Sequence, residues 1–291
     1  LLGPYQVEIL FVLCTLLGGR RKVDAQEMLK NNGVIRILDD MFQRLPWGAL
    51  SSSRESVSRR DSEIRNDASE SLNEQQAGIH GPGCECTPES ALVVQYLRLL
   101  HNFCDRDCDN YDGRRLLLSD DERMSIFGDH YTSEYDTTNV SPGLLSKIVA
   151  AFVSESEESP YRFWLASCIE SFLRGSSSVE QVFVAKSGLI EHLIVDVTRD
   201  SFHCSGSLQT SFDLLGELCK GNTESLEILV SYLETEDIFR KLMIVAASNL
   251  VDSNVFIRSV ILSLERISLG SKSDDDNDML CMSNICLLYT S

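Results

Sequence analysis

The sequence predicts an all-α protein, an armadillo- or HEAT-like α-solenoid interrupted by a long polar loop. Two observations carry that prediction. The first is that apolar residues recur at helical spacing nearly everywhere, in runs that stop at single glycines. The second is internal repetition. "EMLKNNGVIRILDDMF", Glu27 to Phe42, and "FVAKSGLIEHLIVDV", Phe183 to Val197, share a glycine followed by two apolar residues and a leucine three further on. Gly33 and Gly188 are thereby aligned 155 residues apart. "ESFLRGSS", "GELCKGNT" and "ERISLGSK" repeat a second phrase, with Gly175 to Gly221 spaced by 46 residues and Gly221 to Gly270 by 49. Armadillo and HEAT units run roughly 40–47 residues, and such units bury their apolar faces only against neighbours.

Residues 1–50 form the first helical segment. From Gln6 to Leu17 apolar residues fill more than one face, as in a helix covered on several sides, and Gly18-Gly19 ends it. A short helix over about Asp24 to Lys30 follows, then a bend at Gly33 and a third helix to Leu45 before Pro46. Residues 51–83, "SSSRESVSRRDSEIRNDASESLNEQQAGIHGPG", hold few apolar groups and no period, which predicts a disordered loop. Ser62 behind two arginines is compatible with a basophilic kinase site, although a merely solvating loop is the expectation.

Residues 84–270 resume the repeats, broken between Asp105 and Pro142 apart from an apolar patch at Leu116 to Leu118. "YRFWLASCIESFLRG" predicts a helix ending at Gly175, a short helix over Val179 to Ala185 leads to Gly188, and a third helix continues to Val197. Trp164, Phe172, Leu193, Leu215 and Leu264 are expected in the core. Residues 271–291 open on the acidic "SDDDND" and close on "CLLYTS", which reads as translated adaptor sequence, so no fold is expected beyond about residue 275. Leu1 is not an initiator methionine, and the sequence is expected to begin inside a longer protein.

Composition narrows the partners. Twenty-six Lys and Arg stand against 44 Asp and Glu, a formal net charge of −18 at pH 7. That balance disfavours nucleic acid and anionic membrane surfaces and suits a basic peptide or protein tail. The longest apolar run, Ile9 to Leu17, is half the length that a membrane span needs. Ten cysteines with no export signal predict reduced thiols and a cytoplasmic location, with Cys14, Cys168 and Cys219 packed as small hydrophobes.

Catalytic signatures are missing: no phosphate loop, dinucleotide glycine motif, nucleophile elbow or H-E-x-x-H. His203 beside Cys204 is expected to be loop, since neighbours in sequence seldom converge on one point. His192 beside Glu191 is expected on a helix. One constellation suggests a metal. Cys84 and Cys86 close the polar loop, and His101, Cys104 and Cys108 recur at i, i+3 and i+7 on one helix face. Four of these thiolates, or three with His101 as substitute, suit a tetrahedral structural zinc clipping the loop to the helix. The C-x-C spacing is tighter than usual for zinc, and "CDRDCDN" departs from helical patterning by Cys108.

At "YRFWLASCIESFLRG", "SFDLLGELCKGN" and "LVDSNVFIRSVILSLER", supported by "QVEILFVLC", "CEC" before "YLRLLHNFCD", and "GLLSKIV" in the same order, the chain resembles the short transient receptor potential channel 4-associated protein family. The resemblance runs from about Gln6 to Ile267, leaving out the polar loop. The chain departs from the family in loop length, at Cys104 and Cys108, and after residue 270. The resemblance implies an armadillo-like protein without catalysis of its own. It further implies a substrate receptor of a cullin 4 RING ubiquitin ligase, attached through the damaged-DNA-binding adaptor and reading degrons at substrate C-termini. A scaffold role for tumour necrosis factor receptor and calcium-channel tails is the alternative it implies. No family motif assigns partner contacts to residues of this chain. Phe163 and Trp164 suggest a peptide groove but are expected in the core, and Glu191 and Glu217 are candidates for gripping an arginine-bearing tail.

Overall fold

A computed structural model of the chain describes residues 5–47, 88–105, 113–128, 142–157, 159–200, 205–233 and 235–270. Among the described residues there are thirteen α-helices, one 3-10 turn and one π turn, and no strand. The helical periodicity of the sequence is thus met throughout. The polar loop, Ser62, His203, Cys204 and the acidic tail lie outside the described residues.

The first three helices are α1 (Tyr5–Leu17), α2 (Lys22–Asn31) and α3 (Val34–Phe42). Gly33 sits between α2 and α3 at φ 71°, a left-handed conformation costing a residue with a β-carbon roughly 1–2 kcal/mol. α3 is strongly two-faced and buries Ile35, Leu38 and Phe42. Next come α4 (Pro88–Cys104), a 3-10 turn (Gly113–Leu117) and α5 (Asp120–Phe127). Proline at the first position of α4 forfeits only an N–H that has no helical partner.

The interval from Asp105 to Pro142, expected as a break, therefore contains two helical elements. Ser119 and Glu122 close a capping box on α5. The Glu122 carboxylate also accepts from Gly143 N at 3.0 Å and Ser146 Oγ at 2.6 Å, fastening α5 to the next helix. Charge hid this segment because its helix is secured by polar caps rather than by an apolar stripe.

α6 (Leu144–Ser154) precedes α7 (Arg162–Leu173), which ends before Gly175 at φ 75°. α8 (Ser178–Val184), a π turn (Ala185–Leu189) and α9 (Ile190–Thr198) follow, with Gly188 inside the turn at φ 85°. Gly33 and Gly188, aligned by sequence, bend the chain left-handedly at the same joint. The remaining helices are α10 (Ser205–Cys219), α11 (Thr223–Ser231), α12 (Glu236–Ser248) and α13 (Leu250–Gly270).

Five of these helices pack in series: α1 on α4, α4 on α7, α7 on α10 and α10 on α13. The recurring glycine phrases mark the ends of α7, α10 and α13. Between α10 and α13 the approach is tight at Gly216, where a β-carbon would lie 2.8 Å from Val255 Cγ1 and 2.9 Å from Phe256 N. Phe212 stacks on Phe256 at 5.7 Å. One continuous core runs along the series, including Leu17, Tyr96, Phe103, Phe152 and Phe172. Phe172, Leu193 and Leu215 are fully buried as expected, whereas Trp164 and Leu264 are half-buried against the core.

Candidate functional site

Where α7 and α10 run side by side, each turns one face toward a shared cleft of about 160 Å³. Phe163, Ser167 and Glu170 recur on α7 at i, i+4 and i+7; Gly206, Thr210 and Asp213 recur on α10 at the same spacing. Two matched helix faces therefore form the walls. Gly206 has no side chain to close the gap, and a β-carbon there would meet nothing within 4 Å.

Phe163 is 61% exposed, which corrects its expected place in the core. In a run as apolar as "YRFWLASCIESFL" periodicity does not identify the outward ring. The inward face is taken by Leu165, Ala166, Cys168, Ile169 and Phe172, and Arg162 is buried as well. Phe163 meets Trp164 edge-on at 5.5 Å, and the Arg98 guanidinium of α4 lies 5.8 Å from the Trp164 ring centroid. An aromatic shelf thus leads from the cleft toward α4.

The floor is acidic. Burial pushes the Asp213 carboxyl up to about 6, reinforced by the charges of Glu170, Glu217 and Asp252 and opposed by Arg174. Burial also raises Glu170, and its bonded partner Arg174 pulls the other way. Asp213 makes no hydrogen bond or ion pair among the described residues. Glu217, singled out by the sequence, is buried one turn beyond Asp213 with Lys220 Nζ at 3.4 Å, and it contributes charge without lining the cleft. Glu191 is exposed on α9 and is not part of the lining. Asp213 and Glu170 escaped the sequence reading, although "SFDLLGEL" and "SCIESFL" place both on a helix face with small or polar residues.

His192 lies on α9, the helix expected for it. It is half-buried, with Nε2 3.2 Å from Arg162 Nη2 and 3.5 Å from Asp196 Oδ2. Arg162 pairs with Asp196, donates to the Glu155 carbonyl at 2.9 Å and lies 4.4 Å from the Phe152 ring centroid. Burial lowers the His192 pKa, with Asp196 opposing. The group fastens the end of α6 to α7 and α9 and holds no nucleophile.

Of the zinc candidates, Cys84, Cys86 and Cys108 lie outside the described residues. His101 and Cys104 share a face of α4, but α7 occupies it. His101 Nε2 is 2.7 Å from Ser171 Oγ, and Cys104 is fully buried, as is Cys168, whose thiol donates to the Leu97 carbonyl of α4 at 3.5 Å. Among the described residues no group of three or more His, Cys, Asp or Glu side chains converges as a metal site. The same residues include no helix long and apolar enough to cross a membrane.

A family described as a protein of unknown function, DUF3689, matches residues 25–288. The chain belongs to that family. The match extends into the terminal stretch that sequence reading had set aside. Relatives include the short transient receptor potential channel 4-associated proteins of Homo sapiens and Mus musculus, each 30% identical over 275 residues and 90% of this chain. The chain spans about a third of the length of these curated relatives, 32%. No solved structure matches.

Proposed function

We propose that this family member is a non-catalytic recognition subunit, an armadillo-like solenoid that holds a protein tail. The serial packing of α1, α4, α7, α10 and α13 supports the solenoid. The observation that carries recognition is the α7–α10 cleft, an open slot with an exposed aromatic lip and an acidic floor. Combined with the family resemblance, the reading is a substrate receptor of a cullin 4 RING ubiquitin ligase. It works in the cytoplasm through the damaged-DNA-binding adaptor and reads substrate C-termini. Its contribution is proximity: a tethered substrate experiences a high local concentration of ubiquitin-charged enzyme, and this chain performs no bond chemistry.

A second reading, a signalling scaffold for channel or receptor tails without ubiquitin transfer, is favoured by the name of the human and mouse relatives, which are channel-associated. Affinity purification of the full-length protein, with and without proteasome inhibition, separates the two. The receptor reading expects the ligase adaptor in stoichiometric amount and substrates enriched by inhibition. Channel or receptor tails captured with no adaptor would establish the scaffold instead.

A further inference from the structure

The alignment of Gly33 with Gly188 extends back into the long helices before them and puts α1 and α7 in one register. At that shift of 155 residues Leu10 matches Leu165 and Leu17 matches Phe172, and all four are buried. In the same register Ile9 matches Trp164 and Leu16 matches Ser171, one face of each helix. α7 turns those two positions toward the helix before it. The Arg98 guanidinium of α4 lies over the Trp164 ring, and His101 Nε2 of α4 is 2.7 Å from Ser171 Oγ. On α1 both positions are apolar, yet Ile9 is 57% exposed and Leu16 50%. The next joint repeats the relationship. Ile37 of α3 matches His192 of α9, which meets the Phe152 ring of α6 edge-on at 5.8 Å, whereas Ile37 is 55% exposed. Two interfaces of the later repeat are therefore present in the first repeat as receiving faces alone, among the described residues.

We propose that Ile9, Leu16 and Ile37 form the seat for one further repeat of the same polypeptide. Its long helix lies on α1 as α4 lies on α7, and its next helix lies on α3 as α6 lies on α9. The incoming long helix carries apolar side chains where α4 presents Arg98 and His101, because the positions that it covers are Ile9 and Leu16. Three observations choose this occupant over a second copy or a foreign protein. The seat is continuous with the series, being the face by which α7 receives its own neighbour. The chain spans only 32% of its human and mouse relatives, whose remaining length can supply more repeats. A solenoid's last repeat needs a polar outer face to stay soluble, and α1 carries a single charged residue, Glu8. The inference rests on the solenoid in the proposed function and is independent of which tail the protein holds.

The test places photoreactive benzoylphenylalanine, one position at a time, at Ile9, Leu16 and Ile37 of the full-length protein, with Val195 as control. Val195 is exposed on α9 and matches Asp40, itself exposed, so that position faces water in both repeats. After irradiation the product is sized on a denaturing gel and the linked peptides are identified by mass spectrometry. The three probes should link within one chain to residues beyond the 291 of this sequence, and Val195 should stay unlinked. In the full-length protein, Ile9→Glu with Leu16→Glu should speed amide exchange across α1 at least about tenfold, because carboxylates would be trapped against an apolar helix. Links between two chains would make the face a dimer seat, and links to another protein would make it a partner's seat. No links with unchanged exchange would leave it a solvated surface, and each of these three results overturns the proposal. Capture of the ligase adaptor is read separately, so the seat and the recognition reading can fail independently.

Discussion

Gln26 and Gln181 stand at equivalent points of the repeat, each seven residues before its left-handed glycine, and each holds the end of a neighbouring long helix. Gln26 Nε2 donates to the Asn102 carbonyl near the end of α4. Gln181 Nε2 donates to the Glu217 carbonyl at 2.9 Å and the Lys220 carbonyl at 3.4 Å, at the end of α10. The last carbonyls of a helix have no partner within it, so a buried neighbour must supply one. Both glutamines are buried, and Gln181 also accepts from Asn222 Nδ2 at 3.0 Å. Gln181→Leu should therefore leave buried carbonyls unsatisfied and cost about 1–3 kcal/mol in urea unfolding. A change within about 0.5 kcal/mol, the ordinary scatter of surface substitutions, would mean that water replaces the clasp.

The glycines of the chain should respond by position. Gly188→Ala meets open space but must adopt φ 85°, so roughly 1–2 kcal/mol of destabilisation is expected from backbone strain alone. Gly216→Ala has an ordinary helical backbone but drives a methyl into Val255 and the Phe256 amide, and should cost about 1–3 kcal/mol. Gly206→Ala meets nothing and should be stabilising by about 0.4–1 kcal/mol. Thermal melting of the three variants checks the order, and a destabilised Gly206→Ala would show that the wall of the cleft is more crowded than this.

Phe172 and Phe163 separate packing from recognition on one helix. Truncating Phe172, fully buried, to alanine should cost about 3–5 kcal/mol. Phe163→Ala should change stability by less than about 1 kcal/mol, because most of the ring already faces water. Equal losses in chemical denaturation would place Phe163 in the core after all.

What the sequence made legible follows from which forces leave a periodic trace. Helices held by apolar stripes, and the joints at Gly33 and Gly188, are written in residue type and spacing. α5 was not, because Ser119, Glu122 and Gly143 secure it through hydrogen bonds. The cleft was half legible. Glu217 pointed to the right end of α10, but Phe163 was assigned inward because aromatic rings inside an apolar run carry no mark of direction. Asp213 gains its character only when packing of α10 against its neighbours buries it and brings the charge of Glu170 near, a relationship across the chain that no local pattern records.

The raised carboxyl of Asp213 also bears on stability against pH. Its folded pKa, about 6, exceeds the ordinary aspartate value of 3.8, so between these values the folded state binds more protons than the unfolded one. This group's contribution accordingly becomes less favourable as pH rises from about 4 through about 6, and stays unfavourable above. Asp213→Asn should raise the urea midpoint at pH 7.5 relative to the unmodified protein, with the difference vanishing near pH 4. Burial-raised Glu170 adds a contribution of the same sign. A difference that does not change with pH would show that Asp213 ionises freely.

An acidic cleft should discriminate between cations. Guanidinium presents a planar fork of donors that pairs with carboxylate oxygens two at a time and stacks on an aromatic ring, whereas ammonium is a compact, strongly hydrated charge. Asp213 and Glu170 across the cleft from one another, with Phe163 at the rim, supply both kinds of contact. A C-terminal tail carrying arginine should therefore bind the full-length protein more tightly than its lysine version. Removing one desolvated carboxylate partner should weaken the arginine peptide by roughly 2–5 kcal/mol and the lysine peptide by less. The measurement is titration calorimetry with both peptides against the unmodified protein and Asp213→Asn. Equal affinities throughout would reduce the attraction to the −18 net charge of the chain, which salt alone would then remove.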